Sequence, residues 1–194
     1  MRKDFYVFRH GETDYNLEKR WQGCGIDIDL NQTGKQQAKD LAEKMQTLKI
    51  EIIYSSPLKR AYQTAQAVSE KTNAQIKIIP ELTEASVGLC EGLTRDEIAN
   101  KYPEIWEKWY NDDGNINWSI RWPKGESKQE IKDRMFTAFE KILNTKETTI
   151  GIASHSGSIR YFLLGLGYGP HKMPNTALFH IIYEDGKWIF DKLM

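Results

Sequence analysis

Hydrophobic and polar positions switch along the chain between a period near two, in short runs, and a period near 3.6, in longer ones. Asp4 to Phe8, Ile50 to Tyr54, Ile76 to Ile79 and Thr148 to Ala153 read as short strands. They end at Arg9-His10-Gly11, Ser55-Ser56-Pro57, Pro80 and Ser154-His155. Ala177 to Tyr183 and Lys187 to Phe190 flank Glu184-Asp185-Gly186, which predicts a hairpin with Asp-Gly in its turn. Among these runs lie amphipathic helices. One is opened by Thr33 with Gln36 as a capping box and carries Ala38, Leu41, Ala42, Met45 and Leu48 on one face; a second runs from Leu58 to Lys71. Thr94 with Glu97 and Ser127 with Glu130 repeat the capping signature, the latter before Ile131, Met135, Ala138, Phe139 and Ile142.

This alternation predicts an α/β fold, a three-layer sandwich around a mostly parallel sheet with an antiparallel edge. No repeat, low-complexity tract or long polar linker divides the chain, so 1–194 is expected to form one domain. Sheets of this kind bind ligands beyond the carboxyl ends of their strands. Three of the strand ends carry Arg9-His10, Arg60 shortly after Ser-Ser-Pro, and His155, which places distant residues above one sheet edge.

Composition narrows the partners. Lys plus Arg (27) cancels Asp plus Glu (27), so no bulk field draws the chain to nucleic acid or to an acidic membrane surface, and any anion site must be local. Two cysteines, Cys24 and Cys90, make neither a disulfide framework nor a zinc motif; no metal is expected and a cytoplasmic home is the simplest one. The N-terminus reaches charged Asp4 and Arg9 before any signal-length apolar stretch, and the run from Tyr161 to Leu166 is too short for a bilayer. Neither a Gly-x-x-x-x-Gly-Lys-Ser/Thr loop nor a Gly-x-Gly-x-x-Gly follows a strand, which argues against a nucleotide kinase or a dinucleotide enzyme. No cofactor is called for.

Arg9-His10-Gly11 puts a cation and an imidazole at the end of a buried strand, before a glycine that lets the backbone approach a ligand. At this composition about 0.012 such triplets are expected by chance, before a preceding strand is required. With Asn16, Ser55-Ser56-Pro57-Leu58-Lys59-Arg60-Ala61, Thr64-Ala65, Glu84, Gly88, Glu91-Gly92, Gly125-Glu126-Ser127 and Ser154-His155-Ser156-Gly157, the motif makes the chain resemble the histidine phosphatase superfamily, the phosphoglycerate mutase-like family, over nearly its whole length.

A neutral imidazole nitrogen of His10 is suited to attack phosphorus and form a phosphohistidine. Arg9 and Arg60 supply fixed, bidentate donors for the phosphoryl oxygens, and His155 completes the cradle. Asn16 is expected to orient phosphate or His10. The resemblance implies Glu84, four residues before Gly88, as the carboxyl that protonates the leaving group and then activates water, with Glu81 and Glu91 as competitors. Arg20, Trp21, Gln22 and Gly23 are expected near the leaving group. His171 and His180 read as structural, and Arg160 as supporting. Trp106, Trp109, Tyr110, Trp118 and Trp122 surround the polar turn Asn111 to Asn117 and mark a substrate-covering insertion at about 84–126, with packing the expected role of each ring.

Together these imply a metal-independent phosphomonoesterase acting on a small phosphorylated metabolite. Two alternatives stand beside it: mutase-type phosphoryl transfer, and a non-catalytic module that binds a phosphorylated protein through Arg9, Arg60 and His155. The chain is shorter than cofactor-dependent phosphoglycerate mutases and lacks their paired-arginine segment between Glu91 and Trp122, which favours hydrolysis. Oligomeric state is not readable from the chain.

Overall fold

The computed structural model describes residues 2–110, 116–169 and 172–193. Its strands are β1 (Arg2–Arg9), β2 (Ile52–Ser55), β3 (Gln75–Ile78), β4 (Thr149–Ser154), β5 (Leu178–Glu184) and β6 (Lys187–Leu193). Its helices are α1 (Asp14–Leu17), α2 (Gln32–Met45), α3 (Lys59–Thr72), α4 (Arg95–Lys101), α5 (Pro103–Tyr110), α6 (Lys128–Leu143) and α7 (Ser156–Gly165). The strands form one sheet in the order β3-β2-β4-β1-β5-β6. The first four in that order run parallel, while β5 is antiparallel to β1, and β6 to β5.

Each sheet face buries a different helix pair, because successive side chains of a strand point to opposite sides. Phe5 and Val7 of β1, with Ile150 and Ile152 of β4, meet Met135, Phe139 and Ile142 of α6 and Ile159 and Phe162 of α7. Phe8, Ile53 and Ala153 meet Leu41 and Met45 of α2 and Ala65 and Val68 of α3 on the other face. The expected sandwich and antiparallel edge are both present. The hairpin turn at Asp185 and Gly186 has φ of 48° and 82°, the left-handed pair that joins strands with the correct twist.

Most boundaries lie within a residue or two of the sequence reading, β6 runs three residues past Phe190 to Leu193, and one helix start is corrected. Helix α2 is capped by Asn31, whose side chain accepts from the Gly34 amide at 2.8 Å, and not by Thr33. Both residue types cap well, and the polar run offers them two positions apart. The boxes at Thr94-Glu97 and Ser127-Glu130 form as expected.

A third cluster lies apart from the sheet. Trp122, wholly buried, has its ring centroid 5.1 Å from that of Trp109, 5.4 Å from Trp21 and 6.5 Å from Trp106. Trp109 in turn meets Tyr161 of α7 edge-on at 5.8 Å, joining α5 to the helix that begins at His155. No described helix is long and apolar enough to cross a membrane. His180 is structural in its contacts, bonding Asp191 and Asp4 through its two ring nitrogens and stacking on Tyr6. His171 and Asn111 to Asn115 lie outside the described residues.

Candidate active site

Three parallel strands end side by side, and their register decides which residues emerge together. Arg9 of β1 stands opposite Ser154 of β4, so His10 and His155, the next residues of each, become neighbours with ring centroids 5.2 Å apart. Ser55 of β2 stands opposite Ala153; Ser56 then donates its amide to the Ala153 carbonyl at 3.0 Å. Its hydroxyl lies 2.8 Å from His155 Nε2. The chain turns from there into α3, whose first turn carries Arg60, fully buried.

The four basic side chains are held by backbone carbonyls or by a hydroxyl. Arg60 Nη1 and Nη2 donate to the Ile26 and Gly23 carbonyls at 2.9 and 2.8 Å, and Arg9 Nη1 donates to the Met173 carbonyl at 2.5 Å. Nε of both arginines and Nδ1 of His155 are buried with no partner among the described residues. Buried polar groups are nearly always paired. Guanidinium N–H groups left open beside two imidazoles are what an anion with several oxygens requires.

His10 Nδ1 lies 2.7 Å from the Gly11 carbonyl oxygen. A carbonyl only accepts, so Nδ1 carries the ring proton and Nε2 the lone pair. Burial, reinforced by the charges of Arg9 and Arg60, holds the His10 pKa well below the ordinary 6.5. Burial, then Arg60, does the same for His155. Both rings are therefore neutral near pH 7. Burial also draws Arg9 down to about 10, with Glu84 opposing the shift, so it stays charged at neutral pH. Gly11 is obligatory in this turn, since a Cβ there would sit 2.4 Å from the Gly34 carbonyl oxygen. Its amide donates to Thr64 Oγ1 at 3.0 Å, whose hydroxyl donates to the Arg60 carbonyl at 2.8 Å, tying the end of β1 to α3.

Glu84 enters from an irregular segment beside the start of α7. Its Oε1 accepts from the Ala85 and Ser158 amides at 2.9 and 3.1 Å, and its Oε2 from the Gly157 amide at 3.3 Å. These last two amides open the helix that His155 caps, where the backbone N–H groups attract negative charge. Of the competing carboxylates, Glu81 pairs with Lys141, and Glu91 accepts from the Gly25 amide at 3.2 Å. The structure thus gathers Arg9, His10, Arg60, Glu84 and His155 into one electrostatic neighbourhood, in which Glu84 acts on both arginines and both arginines act on both rings.

The remaining residues divide. Asn16 Oδ1 accepts from the Thr13 amide at 3.2 Å and from Asn175 Nδ2 at 3.1 Å, and Asn175 also donates to the His10 carbonyl at 3.2 Å. Asn16 therefore reaches His10 through Asn175. Gly23 adjoins the site through its carbonyl on Arg60, and Gln22 is buried with Oε1 unpartnered among the described residues. Arg20 turns away to Glu18, Glu97 and the Gly92 carbonyl, and the Trp21 ring packs on Trp106 and Trp122. Sequence reasoning missed three contributors. Asn175 follows Pro174 just before β5 and Ser56 sits in the Ser-Ser-Pro turn, but Arg134, whose charge helps to lower the His155 pKa and whose Nη2 lies 3.4 Å from the Glu84 carbonyl oxygen, gives no signal beyond a cation beside the apolar stripe of α6.

A profile of the histidine phosphatase superfamily (branch 1) matches residues 5–194. The chain is 31% identical to a metal-independent phosphoserine phosphatase from Arabidopsis thaliana, over 97% of this chain and 79% of that one. It is 34% identical to phosphoglycerate mutase-like protein 4 of the same plant, over 81% of this chain and 68% of that one. Among solved structures, phosphoserine phosphatase from Entamoeba histolytica in complex with 3-phosphoglyceric acid superposes with a TM-score of 0.83 at 27% identity, over 98% of this chain and 96% of that one.

Proposed function

The chain belongs to the histidine phosphatase superfamily, branch 1, and from that premise we propose that it is a phosphatase of small phosphorylated metabolites in which His10 is the nucleophile. The observation that carries this reading is the 2.7 Å contact of His10 Nδ1 with the Gly11 carbonyl oxygen, which leaves Nε2 as a neutral, directed lone pair. Nε2 bonds to phosphorus as the bond to the leaving oxygen breaks, and water then cleaves the phosphohistidine. Arg9 and Arg60 neutralise the phosphoryl oxygens, and each keeps a buried Nε with no partner among the described residues. His155 contributes through Nδ1, the nitrogen that its Ser56 bond leaves free. Glu84 protonates the leaving oxygen and later takes a proton from the attacking water. Asn16 steadies the His10 loop through Asn175, and Gln22 and Gly23 border the leaving group.

We take 1–194 as one domain in which about 84–126, with its tryptophan cluster, covers the substrate. Free Cys24 and Cys90 suit a reducing cytoplasm. The plant relative whose name includes phosphoglycerate mutase supports a second reading, return of the phosphoryl group to another hydroxyl, which shares the first half-reaction.

One experiment separates these readings from each other and from a silent phosphate-binding module. Phosphoserine, 3-phosphoglycerate and a panel of sugar phosphates are incubated with the protein in chelator, and inorganic phosphate and isomerised product are both measured. The phosphatase reading expects phosphate release that His10→Ala abolishes. Isomer without phosphate establishes the mutase, and saturable binding without turnover establishes the module.

A further inference from the structure

We infer that Arg134, on α6, is a positioning residue that sets the place of Glu84, and that Glu126 is its anchor. The inference rests on the acid-base reading of Glu84 above. Residues 83–87 have no helix or strand ladder to fix them, yet they carry a carboxylate that must meet the leaving oxygen within hydrogen-bond reach. Side chains supply the missing ladder. Arg134 Nη1 donates to the carbonyls of Glu81 and Thr83 at 2.7 and 3.0 Å, and Nη2 reaches the Glu84 carbonyl at 3.4 Å. The Ser154 hydroxyl takes the Leu82 carbonyl at 2.7 Å, and the Ser158 hydroxyl takes that of Thr83 at 2.6 Å.

The guanidinium is itself locked. Nε and Nη2 grip Glu126 through separate oxygens at 2.8 and 3.0 Å, with the two side chains only 17% and 23% exposed. Glu126 Oε2 also accepts from the Ser86 amide at 2.8 Å, while the Glu126 amide donates to the Ser86 carbonyl at 2.9 Å. The pair therefore clamps the segment on both sides of Glu84. A planar fork is needed for this, since one group serves a carboxylate and three carbonyls at once; a lysine ammonium cannot span that set. Arg134 donates to nothing in the phosphate cradle itself.

The test compares an alkyl phosphate, whose alkoxide needs a proton, with p-nitrophenyl phosphate, whose phenoxide leaves without one. In Arg134→Ala the kcat/KM for phosphoserine is expected to fall about 100-fold and that for the aryl ester less than about 5-fold, because kcat/KM reports transfer to His10 and not the hydrolysis of the phosphohistidine that both esters share. Glu126→Gln and Arg134→Lys, which keep the volume, are expected to show the same asymmetry more weakly, and they carry the comparison if the alanine variant does not fold. In a Glu84→Gln background Arg134→Ala is expected to cost nothing further on the alkyl ester, because both changes remove one function. Equal losses on the two esters, or additive losses in the double variant, overturn the inference. If Glu84→Gln alone lowers kcat/KM for both esters equally, the acid-base reading of Glu84 has failed instead.

Discussion

Oxygen Oε1 of Glu84 lies only 2.8 Å from where a Cβ on Gly157 would stand, so the first turn of α7 has room for this carboxylate because residue 157 has no side chain. The amides of Gly157 and Ser158 both donate to it. Helix start and the proposed proton-transfer group thus form one unit with His155, the residue just before the helix.

Gly157→Ala is expected to displace the carboxylate without unfolding the protein, because the clash meets the free end of a flexible side chain. The kcat/KM for an alkyl phosphate should drop about 10- to 100-fold, and that for an aryl phosphate far less, since the later hydrolysis of the phosphohistidine is common to both. Steady-state kinetics on the two esters, with a melting curve, check this; equal kinetics with wild type would show that the placement of Glu84 does not depend on the space at residue 157.

Arg60→Lys tests whether charge alone suffices. Arg60 holds the Ile26 and Gly23 carbonyls with two nitrogens and keeps Nε open, and a lysine cannot do all three. The expected loss in kcat/KM is about 100-fold or more. A variant with near-normal kcat/KM would remove Arg60 from the phosphate site.

Stability should depend on pH through the two buried rings. Both are held well below 6.5 in the folded protein, so between 6.5 and their folded values only the unfolded chain binds these protons. Their contribution is complete above 6.5 and is lost as pH falls, with a slope of about 1.4 kcal/mol per pH unit for each ring. Urea midpoints should fall from pH 7 to pH 5, and His155→Gln should remove about half of the imidazole slope. A midpoint flat over that range in the wild-type protein would contradict the burial argument. Bound inorganic phosphate should lessen the slope by giving the protonated rings a counter-charge.

Apart from Glu84, which the family resemblance supplies, the parts of this site that sequence alone discloses are those fixed by strand ends. In a parallel sheet the residues after adjacent strands must meet, which is why Arg9, His10 and His155 are legible from short apolar runs and the turns that stop them. Arg60 is legible because Ser-Ser-Pro ends one such run and a helix follows. What stays hidden depends on packing between distant segments. Arg134 reaches carbonyls some fifty residues away, and Asn175 ties Asn16 to His10 across more than 150 residues, and neither pairing leaves a periodic trace. Trp21 reads as a leaving-group contact from its place after the first motif, yet its ring goes to the Trp106 and Trp122 cluster, where burying a large aromatic face outweighs proximity in sequence. The start of α2 shows the finer limit, since Asn31 and Thr33 are equally good caps until the Gly34 amide chooses one.

The proposed mechanism turns on transfer of the phosphoryl group to His10 Nε2. Enzyme quenched in alkali during turnover of an aryl phosphate, then digested and sequenced by mass spectrometry, tests it most directly. An acid-labile phosphate is expected on His10 and on no other residue, absent from His10→Ala. Phosphate on a different side chain, or turnover with His10 never modified, would contradict it.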